Sequence, residues 1–207
     1  MPETRQGQRA GQERRRQGVA ARERARREQR RRWLMIGVGA LILVIAIPVA
    51  ALVYIHRRDA TPTIAGVEHF SGLDRTHTSS PVTYPQNPPV GGPHNPVWQN
   101  CGYYGAPIAN ENGVHSLEHG AVWITYRPDL AADQIATLRK LTAGQTYVLV
   151  SPYPGLPAPV VASAWGLQLK LDTPDDPRLS QFIKAYRQGP QTPEQGAPCT
   201  GGTGVPQ

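Results

Sequence analysis

Five of the six histidines of this 207-residue chain, His69, His77, His94, His115 and His119, fall within one stretch of about fifty residues. Imidazole nitrogen is the commonest protein ligand for zinc and copper(II), so such clustering directs attention to metal chemistry. Within it, His115-Ser-Leu-Glu118-His119 reads H-x-x-E-H. In zinc peptidases with that inverted order, two histidines hold the metal and the glutamate activates water. The local structure decides whether this chemistry is available. On a helix, side chains three and four apart are neighbours, with Cβ atoms about 5 to 6 Å from each other. On a strand, His115 and His119 would lie about 13 Å apart, too far for one ion. Asn112 as a cap and Gly120 as a stop frame one or two helical turns here.

Three readings of these residues stand side by side. In the first, His115 and His119 take His94 of the PHNP segment as third ligand, and Glu118 or His69 completes a non-catalytic metal site. Methionine occurs only at positions 1 and 35, which disfavours copper(I) and leaves Zn(II) or Cu(II) as the expected cofactor. In the second, the histidines are hydrogen-bonded structural residues, Glu118 makes a charge-assisted bond, and the loop aromatics Trp98, Tyr103 and Tyr104 pack or meet a protein partner. In the third, Glu118 is the general base of a metal-dependent hydrolase. Peptidases of that class are several times longer and draw a third ligand from a distant helix. Ser116 offers no triad, because residues adjacent in sequence do not supply the required through-space geometry.

Cys101 and Cys199 are the only cysteines. With no C-x-x-C and no second pair, one structural bridge is the expected use, closing a loop of nearly one hundred residues. It would pin the tail after Pro190 back onto the middle of the chain.

The elements that must position these groups show in the apolar pattern. Seven prolines between 81 and 107 exclude a long helix there and leave a Pro-rich irregular coil. Ala121 to Tyr126 and Tyr147 to Ser151 read as strands, with a helix from Asp129 to Ala143 between them and Gly144 as its stop. Val160 to Leu171 reads as a third strand, its later half alternating so that one face is buried and the other wet. Asp176 as cap, Pro177 at the first position and Leu179, Phe182, Ile183 and Tyr186 at helical spacing predict a terminal helix ending near Gly189. The fold class that follows is α+β: a short sheet, two helices and the coil.

Trp33 to Ile55 contains no charged side chain and is long enough to span a bilayer as a signal anchor. A cleaved signal peptide would need a shorter apolar core and a small-residue cleavage site; nothing after Tyr54 offers one and Ala50-Ala51 inside the run is a weak candidate, which favours the uncleaved anchor. Residues 1 to 32 hold twelve Arg and four Glu, while residues 59 to 207 are net acidic. The Arg bias places the N-terminus in the cytoplasm and the domain outside, where disulfides persist. The Arg-rich head reads as a topogenic, anionic-lipid-facing cluster, with pairs such as Glu23 to Arg27 supporting a helix, and no nucleic-acid partner is expected of the acidic domain. The expected organisation is a cytoplasmic head (1–32), a transmembrane anchor (33–55), a stalk (56–68), an extracytoplasmic domain (69–200) and a flexible tail (201–207) of a single-pass cell-membrane protein.

Four strings carry a family resemblance: VTYPQNPPVGGPHNPVWQNCGYYG, NENGVHSLEHGAVWITYRPDL, YVLVSPYPGLPAPVVASAWG and AYRQGPQTPEQGAPC. Over about residues 66 to 200 the chain resembles the bacterial domain-of-unknown-function family 3105. The resemblance implies a single-span, membrane-anchored extracytoplasmic protein and brings no catalytic residue with it. It also implies that the PHNP, QNCG, HSLEHG and GAPC segments matter, which here are the positions of His94, Cys101, His115, Glu118, His119 and Cys199.

Overall fold

A computed structural model describes residues 29, 31–38, 41–42, 44–50 and 63–207. The head (1–28 and 30), parts of the expected span (39–40, 43 and 51–55) and most of the stalk (56–62) lie outside the described residues. The described part of residues 33–50 is helical and bares its apolar side chains, Trp33, Met35, Val44 and Ile47 among them. Among the described residues no helix is long and apolar enough to cross a membrane. Residues 61–207 form a compact unit of their own.

That unit is α+β, built on one six-stranded sheet: β1 (Val67–His69), β2 (Gly102–Tyr103), β3 (Val122–Tyr126), β4 (Val148–Pro152), β5 (Val160–Ala164) and β6 (Leu167–Leu171), in the order β1-β6-β5-β3-β4-β2. Three helices accompany it: α1 (Asn110–Glu118), α2 (Ala132–Lys140) and α3 (Pro177–Tyr186). β3 and β4 run parallel with α2 between them in sequence, β2 adds a parallel edge, and β5, β6 and β1 are antiparallel.

Strand residues alternate between two cores. Val122, Ile124 and Tyr126 of β3, Val148 and Val150 of β4, and Leu167, Leu169 and Leu171 of β6 share one core with Leu138 of α2 and with Leu179, Phe182, Ile183 and Tyr186 of α3. Trp123 and Leu149 point the other way, against Val114 and Leu117 of α1 and against Tyr104 and Trp165. With both faces covered, β3, β4 and β5 are buried at every residue. The terminal helix follows its sequence grammar: the Asp176 side chain accepts from the Arg178 N–H and Pro177 fills the first position.

Five sequence expectations are corrected. Val160 to Leu171 is a hairpin rather than one strand, because Gly166 takes φ +70° and turns the chain at Trp165-Gly166. Its wet face is largely dry: Gln168 is buried and donates to the Pro88 carbonyl and Ser163 Oγ, so the Pro-rich coil covers that side. The Asp129 to Ala143 helix is shorter at both ends, since residues 141 to 143 tighten into i→i+3 bonds. Asn112 does not cap α1, which begins at Asn110 after Ala109. Its side chain instead donates to the Val97 carbonyl and ties helix to coil. Residues 201–207, expected as a flexible tail, are bonded to the body: Thr203 N–H to Trp98 O, Asn100 N–H to Thr203 O, and Gln207 N–H to Tyr103 O.

Candidate metal centre

Helix α1 carries the site because its two faces differ in chemistry. Val114 and Leu117 enter the core, and Gly113 lets the helix approach the sheet, since a Cβ there would stand 2.8 Å from the Trp123 ring. The other face presents His115, Glu118 and His119, the i, i+3, i+4 set that the helical reading requires. Across from it the Pro-rich coil is laced down by Gln99 N–H to Asn112 O, Ser116 Oγ to Gln99 O, and Val82 N–H to Glu111 Oε1. Ser116 is thereby spent as a tie. The same coil delivers His94, which bonds through its backbone to Thr76 and Thr78 on either side of His77.

Three imidazoles are locked in one tautomer. Nδ1 of His94 lies 2.8 Å from Gly92 O, Nδ1 of His115 lies 2.6 Å from Asn95 O, and Nδ1 of His119 lies 2.7 Å from Pro198 O. A carbonyl oxygen only accepts, so each Nδ1 carries a hydrogen, and in the neutral form each ring aims a bare Nε2 lone pair inward. This is the outer-sphere arrangement that orients histidine for a metal. The lone pairs converge. His94 Nε2 is 2.9 Å from Glu118 Oε2, His115 Nε2 is 2.9 Å from His119 Nε2, and His119 Nε2 is 3.6 Å from Glu194 Oε2. His77 Nε2 is 3.8 Å from Glu118 Oε2, and its ring stacks on His115.

Acceptor thus faces acceptor in a dry place. His94, His115, Glu118 and His119 are all buried, and His94 Nε2 and Glu118 Oε2 have no hydrogen-bond partner. An uncompensated buried carboxylate costs several kcal/mol, so the arrangement calls for a positive charge between these atoms. Burial pushes the His115 pKa down to about 4, with the Asn95 carbonyl opposing and the His119, His94 and His77 rings adding to the fall. His115 is therefore a neutral ligand at ordinary pH. Trp98 walls the site 4.9 Å from the His119 ring and 5.8 Å from that of His115, and Trp165 stands 5.9 Å from His94.

The donor atoms form two overlapping sets, each with its members all within 4.8 Å: His77, His94, His115 and Glu118, and His115, His119 and Glu194. Tetrahedral zinc with bonds of about 2.0 to 2.1 Å sets its donors roughly 3.3 to 3.4 Å apart, so changes in donor separation of about an ångström would seat an ion in either. The residues fit such an ion by type and by orientation.

Of the residues singled out in the sequence, the structure brings together His94, His115, Glu118 and His119. It excludes His69, which sits exposed on β1 opposite Leu167 of β6 and belongs to neither set. Two members were missed. His77 was visible only as one of the clustered histidines. Glu194 had no signal of its own: it arrives because Cys199 is bridged to Cys101, with Cα atoms 5.4 Å apart, and because its N–H bonds to Glu118 O. Glu118 lies among ligands, not behind a His115–His119 pair as a peptidase base would.

A family model described as "Protein of unknown function (DUF3105)" matches residues 76–201, a stretch that contains both donor sets and both cysteines. No curated protein and no solved structure gives a match.

Proposed function

We propose that this chain, which belongs to the DUF3105 family, is a membrane-anchored protein whose extracytoplasmic domain binds one transition-metal ion, Zn(II) or Cu(II). His94, His115 and Glu118 hold the ion and His77 closes the site from its exposed side. The observation that carries this reading is the shared tautomer: three buried rings give Nδ1–H to backbone carbonyls and turn their Nε2 lone pairs onto each other and onto Glu118. Bound there, the ion would supply positive charge and, at the half-exposed side, a Lewis-acid position. The apolar run 33–55, the Arg-rich head before it and the disulfide after it support the anchor and its direction.

A protein-interaction domain without metal would need protons instead. One proton on His94 would satisfy the pair with Glu118, but the His115–His119 pair would need a second on buried imidazole, and burial already holds His115 near pKa 4. Metal analysis of the purified chain after dialysis against Zn(II) or Cu(II) separates the two. About one ion per chain, lost in the His115→Ala/His119→Ala double variant, is the expected result. A folded wild-type chain without metal would retire the proposal.

A further inference from the structure

The two donor sets share one residue, His115, and that sharing has a chemical limit. Its Nδ1–H is committed to the Asn95 carbonyl, which leaves Nε2 with one lone pair for one ion. We infer that His115, His119 and Glu194 form a second, outer metal position, exclusive with the inner one, through which a single divalent transition-metal ion is loaded and released. The inference rests on the metal-binding reading above.

The outer set satisfies the requirements independently. His115 and His119 are buried, their Nε2 atoms 2.9 Å apart, with both Nδ1–H groups already given to carbonyls, so in the neutral rings the two Nε2 lone pairs face each other. Glu194 supplies the negative charge, 3.6 Å from His119 Nε2 on a side chain 51% exposed. The inner set offers a carboxylate that is 2% exposed. The outer set thus places a carboxylate at the surface for an incoming or departing ion, whereas the surface donor of the inner set is the His77 imidazole, its side chain 47% exposed.

Movement between them needs no dissociation from His115. With His115 Nε2 as the constant ligand, His119 and Glu194 exchange for His94 and Glu118. The two glutamates are already tied backbone to backbone, Glu194 N–H bonding to Glu118 O at 3.0 Å. Helical spacing makes the pivot possible, since His115 reaches Glu118 at i+3 and His119 at i+4. The ligand class is a divalent ion that prefers imidazole with carboxylate, and its partner is any chelate or protein donor approaching beside Glu194.

The test uses the full-length chain and Zn(II) alone, comparing equilibrium binding with the rate of release to a chromogenic chelator. Wild type should bind one Zn(II). Glu194→Gln should slow both release and uptake of Zn(II) at least tenfold. His119→Gln should behave in the same direction. Two Zn(II) ions per wild-type chain would overturn the exclusivity, and unchanged exchange rates in both variants would overturn the outer position; either result leaves the inner site standing. Absence of Zn(II) from folded wild type would overturn both readings together.

Discussion

The inner and outer donor sets are built by different parts of the chain. The inner set draws on residues 77 to 118, a coil and a helix laced to each other and packed on Trp123 of the sheet. The outer set joins that helix to the tail: Glu194 is one of its donors, and Pro198 fixes the His119 tautomer. Between tail and body stands the Cys101–Cys199 bridge, with the Cys101 N–H also bonded to Cys199 O. The comparison teaches that one helix can serve a rigid site and a tethered one at once. Core packing holds the first, and a covalent tie holds the second.

The sharpest way to break this contrast is to remove ligands. His94→Ala should weaken Zn(II) binding by a hundredfold or more, beyond the roughly 10 to 100-fold typical of outer-sphere partners, as read by competition titration. The next largest effect belongs to the tie. Cys101→Ser/Cys199→Ser removes a 98-residue crosslink, and urea unfolding should show a loss of roughly 4 to 5 kcal/mol on the chain-entropy account. In the part that remains folded, the His119 ring should be freed before the His94 ring, a difference visible in their imidazole resonances.

A smaller effect comes from the wall behind the helix. Gly113→Ala gains about 1 kcal/mol of helix propensity but drives a Cβ against the Trp123 ring at 2.8 Å. Overpacking costs about 1 to 3 kcal/mol, so the net change should be a destabilisation of up to about 2 kcal/mol with looser binding at the inner set.

A last predicted effect is on pH. His115 has a native pKa of about 4 against 6.5 when unfolded, so between these values the unfolded chain binds more protons. Stability of the metal-free protein should be level above about pH 6.5 and fall as pH drops toward 4. His77, His94 and His119 face the same ring, and their proximity adds to that fall. His115→Gln should flatten this part of the profile, and an unchanged slope would remove the assignment to His115.

Much of the fold was legible because it depends on local grammar. Asp176-Pro177 and the 179, 182, 183, 186 spacing announce α3, and the apolar runs mark β3 and β4. The failures are tertiary. Nothing in Leu167 to Leu171 says that a proline-rich coil will cover its polar side, as the bond from Gln168 to Pro88 O shows it does. Gly166 inside the 160–171 run was the signal for a hairpin. In the site, the HSLEHG spacing locates three donors once it is helical. His94 and His77 are placed by backbone pairing across a coil, and Glu194 by a bridge nearly one hundred residues long. His69 shared composition with that group and nothing else: its neighbours on β1 set its position.

The central claim is that three buried histidines share one tautomer and that His94 and His115 turn their Nε2 lone pairs onto one cation. Long-range nitrogen–proton correlation spectra of the histidine rings, recorded on the full-length chain before and after one equivalent of Zn(II), test it most directly. The account predicts the Nδ1–H tautomer for His94, His115 and His119 in the metal-free protein, and a shift of the His94 and His115 Nε2 resonances when Zn(II) is added. Rings protonated at Nε2, or a spectrum that Zn(II) leaves unchanged, would contradict it.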